Sequence, residues 1–427
     1  MRKRKPAELK DSGIEWIGDI PNAWDVSKLK YLAVIISGQS PASESYNENG
    51  DGTPFLQGNA DFTDLYPTGD TYTNAGKKYS QRNDILFSVR APVGELNISD
   101  QRYSIGRGLC AIRPMSVDQK FLWYELQLAR EDLRSISTGS TFESVSTEDL
   151  KNVLTVAPPN EEQCAIATFL DRKTKAIDQL IEKKQQLIEK LKEKRQALIT
   201  RAVTKGLNPD APMKDSGIEW LGEIPEHWDV LKTKYLFSLE TDKAHKNNDY
   251  ELLSVYTDIG VEPRKELEAK GNKASTTDGY WIVKEGDIIV NKLLAWMGAI
   301  GYSNYEGVTS PAYDILRPRN DVQSKFYGYL FRTKKCQAEL KRNSYGIMDM
   351  RLRLYFSQFG QIPMPLPSKS EQEEIINFIS EFQKKTDKLI IGLNNSIDKI
   401  KEYRQSLISA AVTGKIDVRD EVDALAE

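Results

Sequence analysis

The side chains best suited to covalent or metal chemistry are few: two histidines, His227 and His245, and three cysteines, Cys110, Cys164 and Cys336. A histidine could act as general base, a cysteine as nucleophile, or both as zinc ligands. Each role needs partners at short, fixed spacings. The three cysteines lie far apart and fit neither a zinc pattern nor a disulfide framework. The sequence contains no GxxxxGK[ST] phosphate loop, no GxGxxG after a strand, no HExxH and no CxxC. Asn208-Pro209-Asp210 is not the Asn-Pro-Pro-aromatic tetrapeptide of a methyltransferase. Carboxylates are plentiful, but spacing alone places none of them. The residues argue against catalysis on this chain.

What remains is the chemistry of charge. The formal net charge is -3 over 427 residues, which on its face disfavours a polyanionic partner. The charge is unevenly spread. Segment 171–205 carries 11 basic and 5 acidic residues, and 380–415 carries 7 and 4. Two further stretches are basic, 75–113 with 7 against 3 and 325–353 with 8 against 2. The rest of the chain is therefore strongly acidic. A basic stretch on an acidic body is usually a solvated surface, but it can also serve as an electrostatic footprint for phosphates.

The elements that would position these groups are written twice. Segment 10–32 (KDSGIEWIGDIPNAWDVSKLKYL) and segment 214–236 (KDSGIEWLGEIPEHWDVLKTKYL) agree at 17 of 23 positions, at an offset of 204. His227 stands where the first copy has Ala23, so the repeated unit does not require it. A second pair, 162–206 and 371–415, matches at an offset of 209. It shares Glu162-Gln163/Glu371-Gln372, Phe169/Phe378, Arg195/Arg404 and Ala202-Val203-Thr204/Ala411-Val412-Thr413. The roughly 125 residues between these anchors align poorly. Echoes survive at Asp84-Ile85/Asp287-Ile288 and Arg113-Pro114/Arg317-Pro318. Two copies are too few for a solenoid, and a pseudo-two-fold molecule is the natural alternative.

The second repeated segments read as long helices. Ile177, Leu180, Leu187, Leu191 and Leu198 follow a 3-4 alternation interrupted by Lys184 and Lys194. Leu389, Leu393, Ile400, Tyr403 and Leu407 occupy the same frame, interrupted by Thr386 and Ser396. Pro159, Pro365 and Pro367 mark the starts, and Gly206 and Gly414 the stops. A helix over 160–205 would be about 69 Å long at 1.5 Å per residue. So narrow an apolar seam needs a partner. The other helix of the same chain is the nearest one, antiparallel if a two-fold axis relates the halves. In the poorly aligned segments, 84–89, 108–112 and 287–290 read as strands, and 121–128 and 326–331 as short aromatic-faced helices. Trp16, Trp24, Trp220 and Trp228 read as core or interface filler, and the acidic tail 416–427 as frayed. No stretch approaches 18 apolar residues. The basic run 1–5 is not followed by the apolar stretch of a secretory leader. With the cysteine pattern, this points to the cytoplasm.

The repeated KDSGIEW(I/L)G(D/E)IPxxWDV, the PxxxEQ opening each long helix, and the closing AVTKG and AVTGKIDVRD closely resemble the specificity subunits of type I restriction–modification systems. So do 291–298 and 310–313, and the resemblance spans the whole chain. It implies an α+β fold with two mixed α/β target recognition domains joined by a long antiparallel two-helix coiled coil, a pseudo-two-fold internal repeat. The first recognition domain with its repeat segment would be 1–157, the central conserved helix 158–206, the second recognition domain 207–365, the C-terminal conserved helix 366–415, and the acidic tail 416–427. The resemblance further implies a non-catalytic subunit that reads a bipartite double-stranded DNA site and assembles with two modification (methyltransferase) and two restriction (motor and nuclease) subunits. No cofactor is expected on this chain. S-adenosylmethionine, ATP and Mg are expected on the partners. Two other readings are a coiled-coil scaffold without DNA readout and a single-chain restriction or methyltransferase enzyme.

Base-edge chemistry then selects candidate contacts. Arg and Lys suit guanine, Asn and Gln suit adenine, and Ser and Thr suit either or the phosphates. In the first half these are Gln57, Asn59, Lys77, Lys78, Arg90, Arg107, Ser140 and Thr141, the last two in a 137–141 loop. In the second half they are Lys292, Arg342, Tyr345, Arg351 and Arg353, with 345–347 as the corresponding loop. Each of these residues is individually at least as suited to a surface or fold-supporting role.

Overall fold

The computed structural model describes residues 2–136, 144–257, 259–264, 277–319, 322–347 and 351–423. The chain forms two compact units, Met1–Lys184 with Asn395–Glu427, and Gln185–Asn394. The fold is α+β, and the internal repeat of the sequence is a repeat of structure.

In the first unit an antiparallel four-stranded sheet has the order Leu96–Ile98, Ile85–Ser88, Leu109–Pro114, Ala33–Ser37. Side chains alternate across it with period two. Ile85, Phe87, Cys110 and Ile112 join the main core, which holds Phe121, Leu122 and Leu126 of the helix Gln119–Ile136. Leu86, Leu109 and Ala111 face a smaller cluster with Leu56, Tyr103 and Ile105. Because both faces are covered, the strands read as continuous apolar runs.

The second unit repeats this order with Ile300–Tyr302, Ile288–Asn291, Tyr313–Pro318 and Phe237–Glu240. Ile288, Val290, Leu316 and Phe237 pack with the helix Ser324–Phe331. Ile289, Ala299 and Ile315 pack with Leu253, Val255 and Val261.

The sequence echoes acquire a role in this frame. Arg113 grips Asp84 with two hydrogen bonds, Nε to Oδ1 at 2.9 Å and Nη2 to Oδ2 at 2.7 Å. Arg317 grips Asp287 in the same way at 3.0 and 2.9 Å. Both aspartates are buried, so each carboxylate needs such a partner. Of the repeated tryptophans, Trp24 and Trp228 are fully buried, and Trp16 and Trp220 are half-buried against the same cores. Trp24 Nε1 donates to Glu162 Oε2 and Trp228 Nε1 to Glu371 Oε2, both at 2.9 Å. The neighbouring glutamines accept the backbone N–H of Asp118 and Gln323 at 2.7 and 2.9 Å. These contacts account for the Glu-Gln pair that opens each long helix.

The long helices are Asn160–Lys205 and Lys369–Val412. Each ends before a glycine with positive φ, Gly206 at 72° and Gly414 at 70°, where a Cβ would be strained. Within each unit, parts of the two helices run antiparallel. In the first unit Ile166 and Leu170 share a core with Leu407, Ala411 and Val412, and Arg404 Nε bonds Asp178 Oδ1 at 2.9 Å. In the second unit Ile199 and Val203 share a core with Ile375 and Ile379, and Arg195 Nη1 bonds Asp387 Oδ1 at 2.6 Å. The two pairs are one pair written twice, since 178/387 and 195/404 are related by the repeat offset.

Two expectations change. The expected seam holds at Leu407, buried in the first core, and at Ile177, half-buried against it, but elsewhere the covered face is shifted by about one residue. Ile188 and Ile397 are buried, whereas Leu180, Leu187, Leu389 and Tyr403 are 45–57% exposed. The helices carry more apolar residues than one seam can cover, and the β-branched neighbours take the inner positions. The start of the tail is not frayed. Ile416–Asp417 pairs with Arg2–Lys3, and Val418 is buried in the core. Asp417 accepts two hydrogen bonds from the Arg419 guanidinium and one from its backbone N–H, which hold its carboxyl well below the usual range. Among the described residues, no helix is long and apolar enough to cross a membrane.

One equivalent position differs between the units. Glu125 is fully buried, and its Oε1 accepts the Val156 N–H at 2.5 Å. Among the described residues its Oε2 has no hydrogen-bond partner, and burial pushes the carboxyl up to about 8. At the position related to Val156, Pro365 has no N–H to offer. Its carbonyl instead accepts the Tyr327 hydroxyl at 2.9 Å.

Candidate nucleic-acid interface

In the first unit several chain reversals meet at one end of the sheet. Ala33–Ser37 leaves into Gly38-Gln39-Ser40, Thr53–Leu56 into Gln57, and Ile85–Ser88 into Val89-Arg90, while Leu109–Pro114 enters from Gly106-Arg107-Gly108. Backbone bonds lock the turns together: Gly38 N to Leu109 O at 2.9 Å, Gln39 N to Ile105 O at 2.8 Å, Gly106 N to Leu56 O at 2.8 Å, and Val89 N to Gly108 O at 3.0 Å. A Cβ on Gly38 would lie 2.1 Å from Gly106 O, so only glycine permits this approach.

Three candidates from distant parts of the sequence, Gln57, Arg90 and Arg107, come together on this platform, and all are exposed. Ser40 ties two of them, donating to Gln57 Oε1 and accepting the Arg107 N–H, both at 3.2 Å. Asn59 begins the 3-10 turn Asn59–Asp61 beside Gln57 and is half-buried. Lys77 and Lys78 are exposed on the adjoining segment, where Lys78 O accepts the Ile105 N–H at 2.9 Å. Ser140 and Thr141 lie outside the described residues. Gln39 and Ser40 were not singled out from sequence. The available signal was a Gly-Gln-Ser-Pro turn directly after a strand.

The equivalent end of the second unit has a different character. Asn291 Oδ1 accepts the Leu293 N–H at 3.0 Å, shaping a turn that exposes Leu293, Leu294 and Met297. Lys292 is half-buried and occupied within the fold, donating to Pro311 O at 2.7 Å and lying 3.4 Å from Asp314 Oδ1. Its carbonyl accepts the Leu354 N–H at 2.8 Å. That bond brings in the next loop, where Tyr345 and Arg353 exchange two backbone hydrogen bonds of 2.9 Å. Tyr345 is 65% exposed and Ile347 fully exposed, and Arg351 and Arg353 are exposed. Arg342 pairs instead with Glu219 at 3.0 Å and Glu339 at 3.4 Å. The fold therefore gathers Tyr345, Arg351 and Arg353, engages Lys292 internally, and leaves Arg342 exposed in a surface ion pair.

Two sheets with the same strand order thus present unlike loop ends on a shared frame. A family model for the type I restriction modification DNA specificity domain matches the chain twice, over residues 21–190 and 225–399. The chain belongs to this family.

Its relatives are specificity subunits. The MjaVIII specificity subunit of Methanocaldococcus jannaschii is 23% identical over 94% of this chain and 95% of its own length. The putative MjaX specificity subunit of the same organism is 43% identical over a shorter stretch, 38% of this chain and 39% of its own length. Two solved structures share the fold. One, from work on complex assembly and conformational transition of the type I R-M system, has a TM-score of 0.70 at 15% identity, covering 93% of this chain and 99% of that one. The HsdS subunit from Thermoanaerobacter tengcongensis has a TM-score of 0.54 at 14% identity, covering 93% and 98%. Members of this specificity family recognise DNA and are not the catalytic subunits. The scaffold-only and single-chain-enzyme readings are not favoured.

Proposed function

We propose that each loop end reads one half of a bipartite double-stranded DNA target. Gln57, Arg90 and Arg107, positioned through Ser40, serve the first half-site, with Asn59, Lys77, Lys78, Ser140 and Thr141 as flanking contacts. Tyr345, Arg351 and Arg353 serve the second, with Lys292 and Arg342 supporting it. The repeated segments hold two methyltransferase subunits, and two motor and nuclease subunits complete the restriction enzyme in the cytoplasm. S-adenosylmethionine, ATP and Mg belong to those partners. The observation that carries this reading is the contrast between one frame built twice and two loop ends that differ. Common segments suit identical partners, and divergent ends suit different base sequences.

The test is an exchange of residues 33–154 for the same segment of another family member, followed by mapping of methylated DNA. One half of the recognised site should change while the other half stays. An unchanged site, or methylation without any two-part site, rejects the proposal.

A further inference from the structure

The turns that leave the strands Ile85–Ser88 and Ile288–Asn291 can be matched residue by residue. Asp84 and Asp287 precede the two strands and carry the same arginine grip. Just past the strands, Val89 O and Lys292 O accept the backbone N–H of Val145 and Leu354 at 3.0 and 2.8 Å. Residues 145 and 354 are separated by the same 209 positions as the long helices. In this register Arg90 stands two residues beyond Ser88, and Leu293 two beyond Asn291. One place in the frame thus carries a guanidinium in the first unit and an isobutyl group in the second. Around it the first turn exposes Arg90, Ala91 and Pro92. The second exposes Leu293, Leu294 and Met297, at 38, 42 and 48%.

The two leucines are held out by a stiff turn. Asn291 Oδ1 accepts the N–H groups of Leu293 and Leu294 at 3.0 and 3.3 Å. Trp296 Nε1 donates to Leu293 O at 3.0 Å. Leu294 O accepts the N–H groups of Met297 and Ala299 at 2.9 and 3.1 Å. Ala295 is fully buried, and Gly298 closes the turn with a φ of 100°. A locked turn that keeps two leucines in solvent is preorganised for an apolar contact. The Lys292–Leu354 bond brings exposed Arg353 alongside, in the loop that also exposes Arg351. Cations around an apolar knob fit a polyanion that displays an apolar group. On the major-groove edge of duplex DNA that group is the thymine C5-methyl.

We infer that Leu293 and Leu294 read thymine methyl groups in the second half-site, at the place where Arg90 makes a hydrogen-bonded contact in the first. The second half-site then contains at least one A·T pair whose methyl meets these leucines. This assignment rests on the proposed function and names the base chemistry of one of its two sites. A single methyl packed against carbon is worth about a 4-fold change in affinity. Hydrogen-bonded readout by an arginine would not sense the methyl at all, so the two kinds of contact can be told apart.

The test uses the full chain assembled with the methyltransferase subunits of its own system, on its mapped target. Each thymine of the second half-site is replaced in turn by deoxyuridine, which removes the methyl and keeps every hydrogen-bonding group. At one or more positions the affinity should fall about 3- to 10-fold. The double variant Leu293→Ala with Leu294→Ala should bind thymine and uracil targets equally, at the weaker affinity, and should keep its preferences in the first half-site. Both side chains are exposed, so the melting temperature should not move. Full affinity for uracil at every position overturns the inference, as does a thymine preference that survives in the double variant. A double variant that loses assembly but keeps the thymine preference also overturns it, and reassigns the leucines to a protein partner. A complex that recognises no two-part site rejects the functional reading itself, whereas a two-part site indifferent to uracil rejects only the leucine assignment.

Discussion

The two loop ends stand on equivalent four-stranded sheets yet offer different chemistry. The first is a polar platform of backbone-locked turns carrying Gln57, Arg90 and Arg107, with Ser40 bracing two of them. The second adds exposed Leu293, Leu294, Met297, Tyr345 and Ile347 to its arginines Arg351 and Arg353. A rigid set of donors and acceptors suits hydrogen-bonded readout of base edges. An apolar and aromatic surface suits thymine methyl contacts and base-step wedging. The frame beneath, with its Asp–Arg grip and Trp–Glu bond, is insensitive to that difference. Recognition can therefore vary without disturbing assembly.

That comparison can be attacked first at the frame. Trp24→Ala and Trp228→Ala should each cost about 3–5 kcal/mol, as expected for truncating a buried tryptophan. Chemical denaturation of the two variants should show similar losses. A marked inequality would mean that the two frames are not energetically equivalent.

The next effect separates the units by pH. The raised pKa of Glu125 means the native state binds its proton more tightly than the unfolded chain does. The contribution of Glu125 to the first unit is then fully present below about 4.5, the ordinary value, and is lost as pH climbs to about 8. The second unit uses Tyr327 and Pro365 there, with no carboxyl at that place to contribute in this way. Glu125→Gln should flatten the pH dependence in denaturation curves measured between those limits. A slope unchanged by the substitution would show that Glu125 does not cause it.

Smaller effects belong to the loop ends. Arg107→Ala should cost about 1–3 kcal/mol of discrimination at one half-site only, read from methylation rates on substituted targets. Tyr345→Ala should weaken the other half-site by about 1 kcal/mol, within the range of a base–aromatic contact. A uniform loss across sequences from either variant would mark a phosphate contact and blunt the contrast.

Much of the frame was legible because repetition is visible without alignment to anything else. The echo at Asp84/Asp287 and Arg113/Arg317 survived in otherwise unlike segments because a buried carboxylate needs its cation. The helix ends were legible from Pro159, Gly206 and Gly414. The inner seam was not. Leu180 and Ile181, or Leu187 and Ile188, stand on adjacent flanks of one helix, and heptads do not say which flank is covered. The platform was only half legible. Gln57 and Arg107 could be chosen by type, but their meeting depends on register between strands far apart in sequence. Lys292 looked as available as Arg342, because sequence does not show that Pro311 and Asp314 occupy it while Arg342 stays exposed.

The division of the long helices has a consequence for how the molecule is made. The unit Gln185–Asn394 is continuous along the chain. The other unit needs Leu407, Ile408, Ala411, Val412 and Val418 to complete its core. During synthesis the middle of the protein can finish folding while its beginning still waits. The residues translated first are the last to be sealed, and until then part of the core built around Trp24 stays open to solvent.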